Sequence, residues 1–383
     1  IEASGAENAA DLLEEHPGVE LSRSFRGAGI RLQGLDSKHV LILVDGDRVA
    51  GRIDGVIDLA RIPAEDIERI EVVKGPSSAL YGSDAMGGVI NVITRRSRSD
   101  YEGEAHASYG SVGAADLSGH IGRKLGDWNT RISGGWHRLS QFDLSPDNPA
   151  TTGSGLSQWN VANRTAYRFS DGNSVVFGAS YLRRDQQGVD ANSAGAVFDR
   201  RNLTEVLSGS LKPEFRLPAA GKLRLAAYYS LFRDQFLLDQ RGSGALDQDQ
   251  ETREHLAQLT VQYDKLVLDR HLLTIGLEGL YERLVSERLE SGTGDRQRAA
   301  LFVQDEWTIF EDPLLIVVPG GRLDIDTQFG EHATPKVAVR LDPNETLTLR
   351  ASYGMGFRGP VFKELLLRFE NPSAGYVVEG NPD

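Results

Sequence analysis

The stretch Glu68–Arg96, ERIEVVKGPSSALYGSDAMGGVINVITRR, decides how this chain is read. It compresses a short strand, a Gly-Pro break, one helical turn, a Tyr-Gly stop, a glycine pair and a second strand into a single run. Pro76 stands where the first turn of a helix tolerates proline, because the N–H it lacks would have no partner there. Gly82, Gly87 and Gly88 supply backbone freedom and close approach around a compact turn. Val89–Thr94 then reads as a strand.

Upstream, VLILVDGDRV (Val40–Val49) reads as an apolar strand at Val40–Val44, with Asp45-Gly46 as a hairpin signal. Ala9–Glu15 reads as a short amphipathic helix, with Leu12 and Leu13 apolar, ended by His16-Pro17-Gly18. Pro63 opens a further helical turn, PAEDIER, leading into a strand at Ile70–Val73. Together these form a small α/β unit. No GxGxxG follows its strands, which argues against a nucleotide-binding sheet.

Beyond Arg98 the helical signals mostly stop and long alternating runs begin. Asn173–Arg183 places Val175, Phe177, Ala179 and Tyr181 on one face, and Lys222–Phe232 does the same with Leu223, Leu225, Ala227, Tyr229 and Leu231. His271–Glu282 sets Leu273, Ile275, Leu277 and Tyr281 against Thr274, Glu278 and Glu282, and Thr346–Tyr353 sets Leu347, Leu349 and Tyr353 against polar residues. Period-two runs of about ten residues with an aromatic near one end are the pattern of membrane β-barrels, although a large soluble all-β fold shares the period. About 13 or 14 such strands can be counted. Short connections (Leu125-Gly126-Asp127, Ser170-Asp171-Gly172, Pro218–Gly221, Asp342-Pro343-Asn344) alternate with long polar ones (Gln141–Gly155, Gln186–Arg200, Asp239–Glu251, Glu287–Gln297). That asymmetry puts short turns at one rim and long loops at the other.

Bulk composition agrees. The 383 residues are 40% hydrophobic with 42 glycines and 14 prolines, too apolar for a disordered chain. No apolar run approaches the roughly 20 residues of a spanning helix. A net charge of −13 excludes the basic face that nucleic-acid binding needs. Without cysteine there are no disulfides, thiol nucleophiles or Cys-type zinc sites.

The block Glu68–Arg96, with Val40–Val49 before it, resembles the plug domain of the TonB-dependent outer-membrane receptors of Gram-negative bacteria. The resemblance implies a mainly β protein: residues 1–97 a plug domain, and residues 98–383 part of a transmembrane antiparallel β-barrel enclosing it. Barrels of this class close with about 22 strands, so roughly eight strands and the TonB box upstream of the plug are expected beyond this sequence. The tail Tyr353–Asp383 is similar to a mid-barrel block and stops inside its Asn-Pro-Asp motif. Location in the outer membrane, a lipid-bilayer setting, a TonB-type energy-transducing partner, a small-molecule or metal-chelate ligand and a monomeric state are likewise implied. So is import of a scarce, large nutrient such as a ferric siderophore or cobalamin, with no cofactor and no catalysis. Two alternatives stay open: a non-transporting sensor or adhesin on the same scaffold, and a haem receptor. Gly356–Pro360 (GFRGP) and Gly380–Asp383 (GNPD) are similar to two haem-receptor boxes, but no histidine lies between Phe357 and Asn381.

Individual residues carry further expectations. The apical plug segments implied by the resemblance are Ser22–Gly29 and Ala50–Ile57, making Arg23, Phe25, Arg26, Arg52 and Asp54 candidate ligand contacts. Arginines beside an aromatic suit an anionic, conjugated ligand, and equally a loop held in place. In Phe302–Trp307 (FVQDEW), alternation sets Glu306 opposite Trp307, toward the lumen if Trp307 faces lipid. Related receptors pair plug arginines with barrel glutamates, so Arg31 or Arg69 is expected to meet Glu306, unless both pair within the plug. The acidic loops at Asp143/Asp147 and Asp239/Asp247/Asp249/Glu251 offer carboxylates for calcium or for solvent alone. His106 and His137 are expected on strand surfaces or in the lumen. No HExxH, GxSxG or metal-ligand spacing appears.

Overall fold

A computed structural model describes residues 6–14, 16–24, 27–53, 55–75, 78–145, 147–192, 195–218, 221–244, 246–371 and 376–381. Glu15 and Pro76 lie outside the described residues. The chain begins with helix α1 (Ala9–Glu14) and a hairpin of β1 (Val19–Ser24) and β2 (Gly27–Leu32). Next come β3 (Val40–Val44), β4 (Asp47–Arg48), the small pair β5 (Arg52–Ile53) and β6 (Val56–Ile57), β7 (Ile67–Lys74), the helical turn α2 (Ser78–Tyr81) and β8 (Gly88–Thr94). One four-stranded sheet, ordered β4-β3-β8-β7, organises this unit; β3 and β8 run parallel and the other pairs antiparallel. Asp45 and Gly46 both have positive φ (50° and 86°), as a two-residue turn between β3 and β4 requires. PAEDIER is helical only over Ala64–Asp66, as a 3₁₀ turn, and β7 starts at Ile67 rather than Ile70.

The core of this unit gathers one face of α1 (Ala9, Ala10, Leu13), Ile30 and Leu32 of β2, Val40 and Ile42 of β3, and Ile90 and Val92 of β8. Gly88 makes a tight backbone approach. At φ +143° its backbone lies where a Cβ would sit 2.2 Å from the Val73 carbonyl oxygen and 2.6 Å from Leu32.

The remaining strands form one 13-stranded antiparallel meander: β9 (Glu102–Tyr109), β10 (Ala115–Leu125), β11 (Trp128–Leu139), β12 (Gly155–Ser170), β13 (Asn173–Ala191), β14 (Val197–Leu217), β15 (Gly221–Gln240), β16 (Gln248–Val267), β17 (His271–Ser286), β18 (Thr293–Glu311), β19 (Leu314–Asp326), β20 (Gly330–Asn344) and β21 (Leu347–Gly354). Each strand pairs with its sequence neighbours, and β9 and β21 stand at the two ends of the order. The sheet curves around the first unit: Arg131 of β11, Arg184 of β13, Lys212 of β14, Arg298 of β18 and Arg322 of β19 all reach it.

Polarity across this sheet is inverted relative to a water-soluble fold. On β17, Leu273, Ile275 and Leu277 are exposed, whereas Gly276 and Leu280 are buried and Thr274 and Glu278 face inward. Arg131, Ser133, Gln158, Asn160, Thr204, Asp234, Arg298, Arg322 and Asp324 are buried on the inner face. Exposed Leu117, Ile121, Phe177, Leu211, Leu259, Leu301, Val303 and Ile325 coat the outer one. Aromatics mark two levels of that coat. Trp128 stacks on Tyr167 at 4.4 Å near the short-turn rim, and Trp136 meets Trp159 at 5.7 Å nearer the other. Eight residues separate Trp128 from Trp136, roughly 26 Å of strand before tilt, which matches an apolar band flanked by interfacial aromatics.

Several segments read as loops are strand. β13 and β14 run to Ala191 and from Val197, β16 begins at Gln248, and Asp342-Pro343-Asn344 closes β20. Cross-strand ion pairs hold these polar extensions: Arg201 bonds Asp185 at 2.5 Å, and Arg200 bonds Asp190 at 2.7 Å. After β21 the chain turns inward. There α3 (Phe362–Leu366) packs Phe362 on Leu284 and Leu289, and β22 (Arg368–Asn371) pairs with β23 (Tyr376–Glu379).

The Gly88 contact gives a paired test. Gly88→Ala should destabilise the plug by several kcal/mol, of the order of 3, because strain and a backbone clash act together. Gly75→Ala, at φ +88° with nothing within 4 Å, should cost only about 1 kcal/mol. Denaturant midpoints of the two variants in detergent check the ranking.

Candidate functional site

Three contact zones hold the first unit inside the sheet. In the first, Asp58 acts as a joint. Its Oδ1 accepts from the backbone N–H of Ala28 (2.8 Å) and Ala60 (3.0 Å), and Arg184 donates to its Oδ2 at 2.5 Å. One carboxylate thus ties β2, the 3₁₀ turn after β6 and the barrel wall together, and Asp58 needs all three partners to be buried as an anion.

The second zone grips the segment from Leu80 to Ser83. Arg298 donates to the Ser83 hydroxyl at 2.7 Å and to Asp326 at 3.0 Å. Arg322 bonds Glu278 (2.7 Å) and Asp324 (2.9 Å), and its Nη1 lies 3.5 Å from the Leu80 carbonyl. Both arginine side chains are fully enclosed, at 2% and 0% exposure, which makes their pairing obligatory. From within the plug, Arg48 adds bonds to the carbonyls of Tyr81 (2.5 Å) and Ser83 (3.4 Å). Burial works against the Arg48 charge and lowers its pKa, while Glu278 nearby supports it.

In the third zone, along the β11, β12 and β14 wall, Lys212 bonds the Asp45 carbonyl (2.6 Å) and the Asp47 carboxylate (2.7 Å). Asp66 meets the Ser133 hydroxyl, and Glu65 meets Asn160 (3.3 Å) and His137 (3.7 Å). Burial pushes the carboxyls of Asp47 and Asp66 up to about 6, with Lys212 and Ser133 respectively pulling the other way.

Above this seat, on the long-loop side, lies a vestibule of about 510 Å³. Its walls mix cations (Lys38, Arg52, Arg296) with carboxylates (Asp84, Glu254, Glu282) and apolar Phe232, Leu256 and Phe362. Arg296 is committed to Glu282 (2.5 Å) and to the Pro360 carbonyl (3.0 Å), and Arg52 to the carbonyls of Ser37 (2.8 Å) and Gly55 (3.0 Å). Among the described residues no carboxylate forms a salt bridge with Arg52, so its guanidinium faces the space with Glu254 acting on it only at longer range.

A small α/β unit seated by buried charge inside an antiparallel sheet with an apolar outer face meets the expectation from Glu68–Arg96. Residues 1–89 match the family described as TonB-dependent Receptor Plug Domain, and residues 98–383 match TonB dependent receptor-like, beta-barrel. The chain belongs to the TonB-dependent receptors. Among relatives, it is 27% identical to the iron-regulated outer membrane virulence protein of Vibrio cholerae over 430 residues, covering 100% of this chain and 59% of that protein. It is 26% identical to the vitamin B12 transporter BtuB of Vibrio vulnificus, covering 95% and 60%. The siderophore receptor PirA from Acinetobacter baumannii superposes with a TM-score of 0.80 at 20% identity, covering 98% of this chain and 64% of that one. PirA from Pseudomonas aeruginosa gives 0.76 at 21%, covering 100% and 67%. The chain thus spans about 60% of the length of the curated relatives it matches.

Within this plug-and-barrel frame, the sequence-predicted residues divide. Arg52 lines the vestibule. Arg23 does not; it is held by Asp11 (2.9 Å) and Glu14 (2.8 Å) of α1. Phe25, Arg26 and Asp54 lie outside the described residues. The expected contact of Arg31 or Arg69 with Glu306 is not formed among the described residues. Arg31 pairs with Asp36 (2.9 Å) and Glu20 (3.6 Å), and Arg69 with Glu71 (2.8 Å). Nearby carboxylates on the same hairpin or strand fix these arginines at little entropic cost, and Glu306 remains exposed at the lower end of β18. Four of the acidic loop residues are likewise engaged: Asp143 by Thr152 (3.1 Å), Asp247 by the Gln240 N–H, Asp249 by Gln235 (2.9 Å), and Glu251 by Arg233 and Arg253. Missed in the sequence were Asp58, Arg298 and Arg322. Arg296/Arg298 and Arg322/Asp324/Asp326 were nonetheless visible as charges on the inward parity of strands whose other face is Leu301/Val303 or Leu323/Ile325.

Two outcomes follow. Arg322→Ala should weaken plug retention by about 3–5 kcal/mol, since Glu278 and Asp324 are left buried and unpaired; Arg322→Lys should recover only part. Protease sensitivity of the plug checks both. Asp47 and Asp66 have raised folded pKa values, so the stability linked to their protonation is present below about 4 and lost as pH rises through about 6. Plug stability should therefore rise between pH 7 and pH 5, by roughly 1 kcal/mol per group, and the Asp47→Asn/Asp66→Asn double variant should flatten that slope.

Proposed function

We propose that this protein imports a scarce, large nutrient, a ferric siderophore or a cobalamin, across the outer membrane of a Gram-negative bacterium. The observation that carries this reading is the vestibule on the long-loop side, closed below by a plug that fills the sheet's polar interior. A cargo too large for a passive pore needs such an arrangement. It must be captured from outside, and the plug must then be displaced at the expense of energy that the outer membrane lacks. A TonB-type protein of the inner membrane supplies that work, and the receptor acts as a monomer within the bilayer. Capture shifts the plug toward a releasable state only to the extent that cargo binds that state more tightly.

Arg52 is the contact assigned to the cargo, and Arg23, Phe25, Arg26 and Asp54 are carried with it as candidates from the sequence resemblance alone. The relatives named for iron regulation, vitamin B12 and siderophores support an anionic or phosphate-bearing cargo, which the charge of Arg52 favours. Glu306, with Arg31 or Arg69, is the contact assigned to plug release, formed only if these arginines exchange partners when the plug moves.

Growth of a deletion strain carrying the full-length receptor, on single iron or cobalamin sources, tests the reading. Rescue by one compound class, dependent on the energy-transducing partner, is expected. Binding with gene induction but no uptake would identify a sensor instead. Arg52→Ala should raise the Kd for the rescuing compound about tenfold or more, the loss of one charge-assisted contact.

A further inference from the structure

Plug and wall do not meet uniformly. Against β18 and β19 the contact is filled by the Arg298 and Arg322 bonds. Against β11–β16 it is interrupted by cavities stacked along the barrel axis. The vestibule of about 510 Å³ lies uppermost, beside Asp234, Thr252 and Glu254. Below it, at mid-height, a cavity of about 200 Å³ carries the hydroxyls of Ser180, Ser208 and Ser230 among apolar Val206 and Leu182 of the wall and Val49 of the plug. A third, of about 400 Å³, reaches Ser174, Glu214 and Arg224 near the short-turn rim. The middle and lower cavities share Asp45, Asp47 and Tyr228, and the middle and upper ones share Val49.

Between the upper two, plug and wall close on each other. Ala50 and Ile53 of the plug and Phe232, Leu256 and Leu280 of the wall form a buried collar. Phe232, 1% exposed, is its centre. Its ring lies flat against Gly51, where a Cβ would come within 2.2 Å of the ring and where φ is +86°. The Arg61 guanidinium covers the ring at 5.0 Å and bonds the carbonyls of Ala50 (3.2 Å) and Gly51 (3.1 Å). Glu254 accepts from the Gly51 N–H at 3.3 Å. A glycine at positive φ, clasped from both sides so that an aromatic ring can seat on its backbone, makes a fitted closure on an inner face that is otherwise mostly polar at this height.

We propose that Phe232, seated on Gly51, seals a passage running between the plug and the β13–β16 wall, and that this is where the two part first. The passage rests on the transport reading for its purpose, but the seal itself is a matter of geometry and is tested without any cargo. At about 200 Å³ the middle cavity is smaller than the roughly 300–1,000 Å³ of a small-molecule site. Widening it requires the plug to leave this wall, and the route is broken by two closures: the apolar collar above and the Lys212 bonds to Asp45 and Asp47 below.

The reporter is Ser208→Cys, an inward wall position in the middle cavity of a stretch without cysteine. In the full-length receptor in outer-membrane vesicles, a membrane-impermeant maleimide added on the long-loop side should label it slowly. Adding Phe232→Ala should raise the labelling rate about tenfold or more, since the opening that limits access is removed, while heat-modifiable migration of the folded barrel stays unchanged. Phe236→Ala, in the vestibule wall above the collar, should leave the rate as it was. Should Phe232→Ala fail to assemble, Phe232→Val is read the same way. Equal rates with and without Phe232, or fast labelling in its presence, overturn the seal whatever the receptor transports.

Discussion

A peptide group in hydrocarbon has no water to bond, so a strand can cross a bilayer only when every N–H and C=O finds a partner in the next strand. The antiparallel meander from β9 to β21 is the consequence, and the rest of the molecule depends on it. Once the backbone is satisfied within the sheet, side chains divide by parity alone. Leu273, Ile275 and Leu277 face out while Thr274 and Glu278 face in. The hydrophobic effect that packs a soluble core acts here on the outside, and the interior is left polar.

A polar interior changes what can hold a plug. The plug keeps its own apolar core around Ile30, Val40, Ile90 and Val92, but meets the wall through Asp58–Arg184, Asp47–Lys212 and Ser83–Arg298. Such contacts break even rather than stabilise strongly, because each buried charge has given up its hydration. That suits a part that must be retained yet released. Stability within the plug and adhesion to the wall are therefore separate quantities, set by apolar packing in one case and by paired charge in the other. The apolar collar at Phe232 is the exception that seals.

How much was legible follows from the range of the interactions involved. The period-two runs and the helix-strand order around Glu68–Arg96 are local, and they stand in the structure nearly as read. Polar segments beyond the bilayer, such as those before Ala191 and after Val197, looked like loops because composition was the only guide. Cross-strand pairs like Arg201–Asp185 that keep them extended join residues distant in sequence. The plug–wall partners were the least legible. Arg31 and Arg69 find carboxylates two to five residues away, whereas Arg298 and Arg322 reach Ser83 and Leu80 only because the sheet curves round the plug. Their inward parity was readable; their partners were not. Phe232 carried a similar clue, an aromatic of inward parity set between Ser230 and Asp234.

The account turns on which face of the sheet meets lipid. A nitroxide scan through residues 273–278 of the full-length receptor in bilayers, read by collision with oxygen and with a water-soluble relaxant, measures this directly. Oxygen accessibility should peak at positions 273, 275 and 277 and fall at 274, 276 and 278, with the water-soluble agent excluded from the odd positions. Free access of that agent to Ile275 and Leu277 would mean that the apolar face lies in water, and the plug-in-barrel account would be wrong.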